Sequence, residues 1–165
     1  ETNGIIDGKV KNQDLRIKRV KEQADEAPER FFEVRKRSVP IGANAETKNL
    51  ATKYLIQEYT QEESLFCQIC NKKVPFKLNN GNFYFEKVRF LTELSKDYQY
   101  NFIALCANHS AMFQYTLDEK EDLIEKIKKI ENNNIEVNIG QSIHKIYFTT
   151  KHVLDLKTII VSENK

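Results

Sequence analysis

Two short residue pairs constrain this chain more than any other feature. Cys67-Gln-Ile-Cys70 and Cys106-Ala-Asn-His109 each place two candidate metal ligands with two residues between them. That spacing lets one tight turn aim both side chains at a single ion. Together the four groups form a Cys3His set, a soft-to-borderline tetrahedral environment suited to Zn2+. With protein filling all four positions no place is left for a catalytic water, so the expectation is one structural zinc per chain. The chain has three cysteines, and this set uses all of them. An odd count also argues against a closed disulfide framework. Two other readings stand beside this one. Three buried reduced cysteines could neighbour an unrelated histidine, or CQIC could be a redox pair, although no thioredoxin-like βαβ pattern surrounds it.

Between the pairs lie 35 residues. Phe76 to Leu78 and Asn82 to Lys87 read as strands, and Asn79-Asn80-Gly81 as the turn between them. Asn101 to Leu105 is a short apolar run leading into the second pair. Knuckle, hairpin, then a helix bearing the last two ligands is the layout of a treble clef. Upstream, a helix is predicted from about Ala45 to Tyr59, with Leu50, Tyr54, Leu55 and Glu58 on one stripe. Downstream, Thr116 and Glu119 form a capping-box pattern before a helix carrying Leu123, Ile124, Ile127 and Ile130. Ile135–Ile139 and Ile143–Thr149 alternate as half-buried strands around Gly140. Residues 151–162 read as a last helix with Val153, Leu156 and Ile160 inward. The fold class is therefore α+β: a zinc domain over 43–165, its core at 65–115, completed by a C-terminal β-hairpin plus helix.

Residues 1–42 read differently. Charges crowd Val10 to Ala27, so an exposed helix ending at Pro28 is expected. Segment 29–42 has no helical stripe and reads as an arm or linker. Residues 9–37 hold ten Lys or Arg against six Asp or Glu. Arg30, Arg35, Lys36 and Arg37, mixed with Phe31 and Phe32, form a candidate nucleic-acid contact. The bland alternative has both Phe packing on the domain while the charges stay wet.

Net charge is only +2, so bulk electrostatics do not demand a polyanionic partner. The partner is read as nucleic acid or protein, with neither preferred. No apolar run reaches the roughly 20 residues of a membrane helix, and no secretory signal opens the chain. With reduced cysteines these point to the cytoplasm. The start at Glu1 reads as a piece of a longer polypeptide.

From CQIC to NHSAMFQY the chain resembles the HNH, or ββα-metal, zinc-containing fold. The corresponding text is YFEKVRFL at 84–91, then Asn101, then LCANHS at 105–110. The resemblance implies that Val88 and Arg89 occupy the His-His positions of the nuclease, and that Ser110 replaces the histidine after the last zinc ligand. Val cannot accept a proton and Arg stays cationic. Glu86 sits at the acidic position of the strand and reads as a relic or as an ordinary solvated glutamate. No catalytic residue is assigned. The implied protein is a scaffold that has lost its catalytic centre, with an HNH-class endonuclease using displaced groups as the alternative. More broadly, the order of segments is similar to C-terminal regions of large bacterial multidomain proteins, some with a sacsin-type, Hsp90-like ATPase module. That similarity implies a docking module of a larger bacterial protein. His144 and His152 read as ordinary surface histidines, with a second site using both as the sharper alternative.

Overall fold

The computed structural model describes residues 10–26, Pro28 and 43–163. The chain divides into two units, Glu1–Ser38 and Val39–Lys165, and each is described by itself. In the first, α1 spans Gln13–Asp25. Asn12 caps it, its Oδ1 accepting from Leu15 N at 3.0 Å, which satisfies one otherwise unpaired helix-start donor. Val10, Leu15 and Ile17 are exposed, as the sparse apolar pattern predicts. The candidate arm residues Arg30, Arg35, Lys36 and Arg37 lie outside the described residues.

The second unit runs α2 (Ala43–Tyr59), β1 (Thr60–Gln61), β2 (Ser64–Leu65), β3 (Glu86–Arg89), β4 (Phe102–Leu105), α3 (Ala107–Thr116), α4 (Leu123–Lys128), β5 (Asn134–Ile139), β6 (Ser142–Tyr147) and α5 (Thr150–Glu163). Its strands pair as three separate antiparallel ladders, β1 with β2, β3 with β4 and β5 with β6. Helices and small antiparallel ladders place the unit in the α+β class.

β4 is the wall on which the rest is hung. All four of its residues are buried, as a continuous apolar run covered on both faces requires. Successive side chains alternate faces. Phe102 and Ala104 join Ala51, Tyr54, Leu55, Tyr59 and Leu65 on the α2 side. Ile103 and Leu105 join the larger cluster, with Phe90, Phe113, Ile127, Ile139, Ile146 and Leu156. Asn101, also buried, opens the strand and closes its loop. Its amide donates to Leu91 O at 2.7 Å and accepts from Leu91 N at 2.8 Å.

Several expectations shift. The predicted strands at 76–78 and 82–87 reduce to one bridge, Lys77 with Phe83. The turn itself forms, with Gly81 at φ +83 and Leu78 N donating to Asn82 O at 2.7 Å. The strand register moves to Glu86–Arg89, because β4 supplies a longer buried partner. In α2 the buried stripe is Ala51, Tyr54, Leu55 and Tyr59, whereas Leu50 faces solvent. Glu58 is held by Lys151 and Thr149 of the α5 end. The capping box at Thr116 is not made. Thr116 is instead the last residue of α3, its hydroxyl donating to Met112 O and accepting from Gly140 N, both at 2.6 Å. Asp122 caps a shorter α4 by accepting from Glu125 N at 3.0 Å. Gly140 turns β5 into β6 at φ +58, where a Cβ would stand 2.7 Å from Met112 Cε. Any other residue there would be strained at this φ and would push the Met112 methyl aside.

The largest correction concerns His152, which is fully buried rather than at the surface. It begins the buried face of α5 between Tyr54, Tyr59 and Phe148. Its Nε2 lies 2.8 Å from Tyr100 O. A carbonyl can only accept, so Nε2 carries the proton and Nδ1 accepts from Tyr59 Oη at 2.6 Å. Burial pulls its pKa from 6.5 down to about 4. The unfolded chain therefore takes up this proton first as pH falls. Stability from His152 is complete above pH 6.5 and is lost between there and pH 4, by up to about 3 kcal/mol. Between pH 7 and pH 5, urea unfolding should show the wild type losing about 2 kcal/mol more than His152→Gln. Equal losses would contradict a buried neutral imidazole.

Candidate metal centre

The first ligand pair sits in a turn whose backbone closes on itself. Cys67 N donates to Lys72 O at 3.0 Å and Asn71 N donates to Cys67 O at 2.9 Å. Asn71 takes the left-handed conformation, φ 53, which asparagine tolerates better than most residues. The second pair opens α3. Cys106 is its N-cap, in extended backbone, and His109 stands three residues on. Ser110 N donates to Cys106 O at 2.9 Å, so the first helical turn sets the angle between the two side chains.

The two turns converge. One ligand atom from each of Cys67, Cys70, Cys106 and His109 lies within 4.8 Å of every other. His109 presents Nδ1, 3.2 Å from Cys106 Sγ and 3.9 Å from Cys67 Sγ. A zinc tetrahedron with bonds of about 2.3 Å to sulfur and 2.0–2.1 Å to nitrogen has S···N edges of roughly 3.6 Å. The observed separations bracket that value, and three sulfurs with one imidazole match zinc's preferred donors. The four residues thus fit a Zn2+ ion.

Burial pushes the Cys67 thiol up to about 12, with backbone N–H groups of Cys106, Cys70 and Ile69 pulling the other way. Those N–H groups favour a thiolate at this sulfur, and a bound cation would complete its stabilisation. His109 is held below the ordinary histidine range by burial first, then by His144 and Lys72, which keeps its imidazole neutral and able to ligate.

Gln68, the first residue between Cys67 and Cys70, was given no role by motif reasoning. It is buried and makes four hydrogen bonds. Its backbone N donates to Ala104 O at 2.9 Å and its O accepts from Tyr147 N at 2.8 Å. Its side chain accepts from Ala104 N at 2.8 Å and donates to Tyr147 O at 2.9 Å. One residue therefore clamps the first knuckle to β4, two residues before Cys106, and to the end of β6. A buried glutamine with all its groups paired could be suspected from an apolar-flanked CxxC, but its partners are set only by the tertiary fold.

The remaining candidates part company. Val88 is buried on β3 opposite Ile103. Arg89 is ion-paired with Asp97. Ser110 is buried, its Oγ accepting from Gln114 Nε2 at 2.8 Å. Glu86 accepts from the Tyr84 hydroxyl at 2.8 Å. His144 is half-buried, its ring 5.8 Å from that of His109 and its Nε2 2.8 Å from Ser142 Oγ. It does not share a site with His152, whose two nitrogens are taken by Tyr59 and Tyr100. No helix among the described residues is long and apolar enough to cross a membrane. No family model, curated protein or solved structure matches the chain.

Two variants separate the ligands from their support. Cys67→Ser or Cys106→Ser should abolish stoichiometric zinc binding. Gln68→Ala keeps all four ligands but leaves Ala104 N unpaired in the interior and takes the side-chain donor from Tyr147 O, costing about 1–3 kcal/mol. It should also weaken zinc in a chelator competition by about 10–100-fold, as loss of a ligand-orienting group does. Wild-type competition curves for Gln68→Ala would remove its clamping role.

Proposed function

We propose that this chain is a structural-zinc docking module, built on an HNH-like, treble-clef scaffold without a hydrolytic centre, and working as part of a larger polypeptide that contacts nucleic acid or protein. The convergence of Cys67, Cys70, Cys106 and His109 carries this reading. Four protein donors complete a tetrahedron and leave no coordination position for a reacting water. The order of elements supports the scaffold: a ligand-bearing knuckle, the β3–β4 ladder, then α3 beginning at the second ligand pair.

The positions where HNH-type chemistry would sit support the absence of a hydrolytic role. Phosphodiester hydrolysis needs a group that takes a proton from water and a cation held beside the phosphate. Val88 has no such group and is buried. Arg89 is cationic and engaged by Asp97. Ser110 is buried beside Gln114. Glu86 alone is a weak Mg2+ site, because such sites combine carboxylates with substrate phosphates. The endonuclease alternative rests on His144, the one imidazole beside the ligand cluster.

Zinc-loaded protein incubated with plasmid should leave it supercoiled when Mg2+, Mn2+ or Ni2+ is added in turn. Metal-dependent nicking that disappears in Glu86→Ala or His144→Ala, with zinc content unchanged, would replace the docking reading with the nuclease.

A further inference from the structure

Ser64 to Phe85 contains Lys72, Lys73 and Lys77 and no aspartate or glutamate. Five cations of this unit, Arg89, Lys126, Lys128, Lys129 and Lys151, face a carboxylate, and its other lysines form no ion pair among the described residues. Lys72, Lys73 and Lys77 are exposed and form no ion pair among the described residues. Lys77 instead rests its ammonium 4.8 Å from the centroid of Phe83. The zinc knuckle anchors this stretch, through Cys67 N to Lys72 O and Val74 N to Leu65 O at 2.8 Å.

The same hairpin carries a ring pair of which one member is exposed and the other half-buried. Phe76 and Tyr84 stack across it with centroids 4.8 Å apart and planes 8° from parallel. Phe76 is 52% exposed. The Tyr84 hydroxyl, bonded to Glu86, fixes the plane of its ring. Strand alternation puts Lys77 and Phe83 on the opposite face, where Phe83 packs toward the α2 cluster. The stacked pair therefore contributes little to the core.

A flat, partly exposed ring stack on a stretch whose charged side chains are all lysines matches what unpaired bases and their phosphates require. An acidic peptide would use the lysines and leave the stack idle. An apolar helix would use the rings and bury lysines without partners. Duplex DNA keeps its base faces stacked internally. The geometry points to a single-stranded nucleic-acid contact on this hairpin, with Phe76 and Tyr84 as the stacking platform and the exposed Lys72 and Lys73 as phosphate contacts. The site uses residues other than the 30–37 arm and rests on the docking reading, whose unnamed partner it identifies.

The test is fluorescence anisotropy of labelled oligo(dT) with the full chain across a salt series, with zinc content measured for every preparation. Phe76→Ser should weaken binding about ten-fold with the salt slope unchanged. The double Lys72→Gln, Lys73→Gln variant should flatten the slope by about 1.4, at roughly 0.7 per phosphate for single strands. Tyr115→Ser, which removes an exposed ring on α3, should bind like wild type, and duplex of the same sequence should bind more weakly. The inference is overturned by no binding at low salt, or by affinity that only Arg35→Gln, Lys36→Gln and Arg37→Gln reduce. Equal loss in Tyr115→Ser would overturn it as well. Zinc-free protein that still binds through Phe76 would sink the zinc reading alone, whereas zinc-loaded protein that binds nothing would sink this one alone.

Discussion

Four ligands from two turns must meet at one point, although 35 residues separate the pairs. The architecture of the second unit is largely the means by which they do so. Gln68 pairs the first knuckle with Ala104, and two residues later the chain reaches Cys106. β4 is thus a rigid spacer with one ligand turn bonded to its side and the other at its end. Zinc at such a site supplies on the order of 10 kcal/mol to folding, comparable with the whole net stability of a typical domain, about 5–15 kcal/mol. A unit whose core is split between two clusters on either face of one strand is therefore expected to depend on its metal.

The polar interior follows the same logic. Gln68, Asn101 and His152 are buried polar side chains, and each has its hydrogen-bonding groups taken up. A buried polar group left unpaired costs about 1–3 kcal/mol, more than a satisfied one contributes. Such residues consequently discriminate between the native arrangement and near alternatives in which a partner is missing. Gln68 joins the knuckle to β4 and β6, Asn101 closes the loop from Leu91, and His152 joins α5 to α2 and to the residue before Asn101. Gln68 and His152 act where elements distant in sequence meet.

This division explains what could be read in advance. The convergence of the Cys3His set was legible because zinc demands particular side chains at particular local spacings, and CQIC and CANH meet that demand within four residues each. Helices α2 and α5 and the β5–β6 hairpin were legible from periodicity, since one face of each is buried. His152 was misplaced because a histidine at a helix start looks the same whether it meets water or Tyr59 and Tyr100. Thr116 and Glu119 satisfy a capping pattern, yet Asp122 lies a few residues on and caps equally well. Tertiary contacts of Thr116 with Gly140 decide between them. Leu50 and Ala51 are adjacent in sequence, and only the position of β4 determines which faces inward. The register of β3 came from pairing with Phe102–Leu105 and not from the local hairpin signal.

The central claim is that Cys67, Cys70, Cys106 and His109 alone hold one zinc ion in a closed shell. X-ray absorption at the zinc edge of the purified full chain addresses it directly. The expected first shell is three sulfurs at about 2.3 Å and one nitrogen at about 2.0–2.1 Å. A shell containing oxygen, or fewer than three sulfurs, would mean an open site and would contradict a purely structural metal.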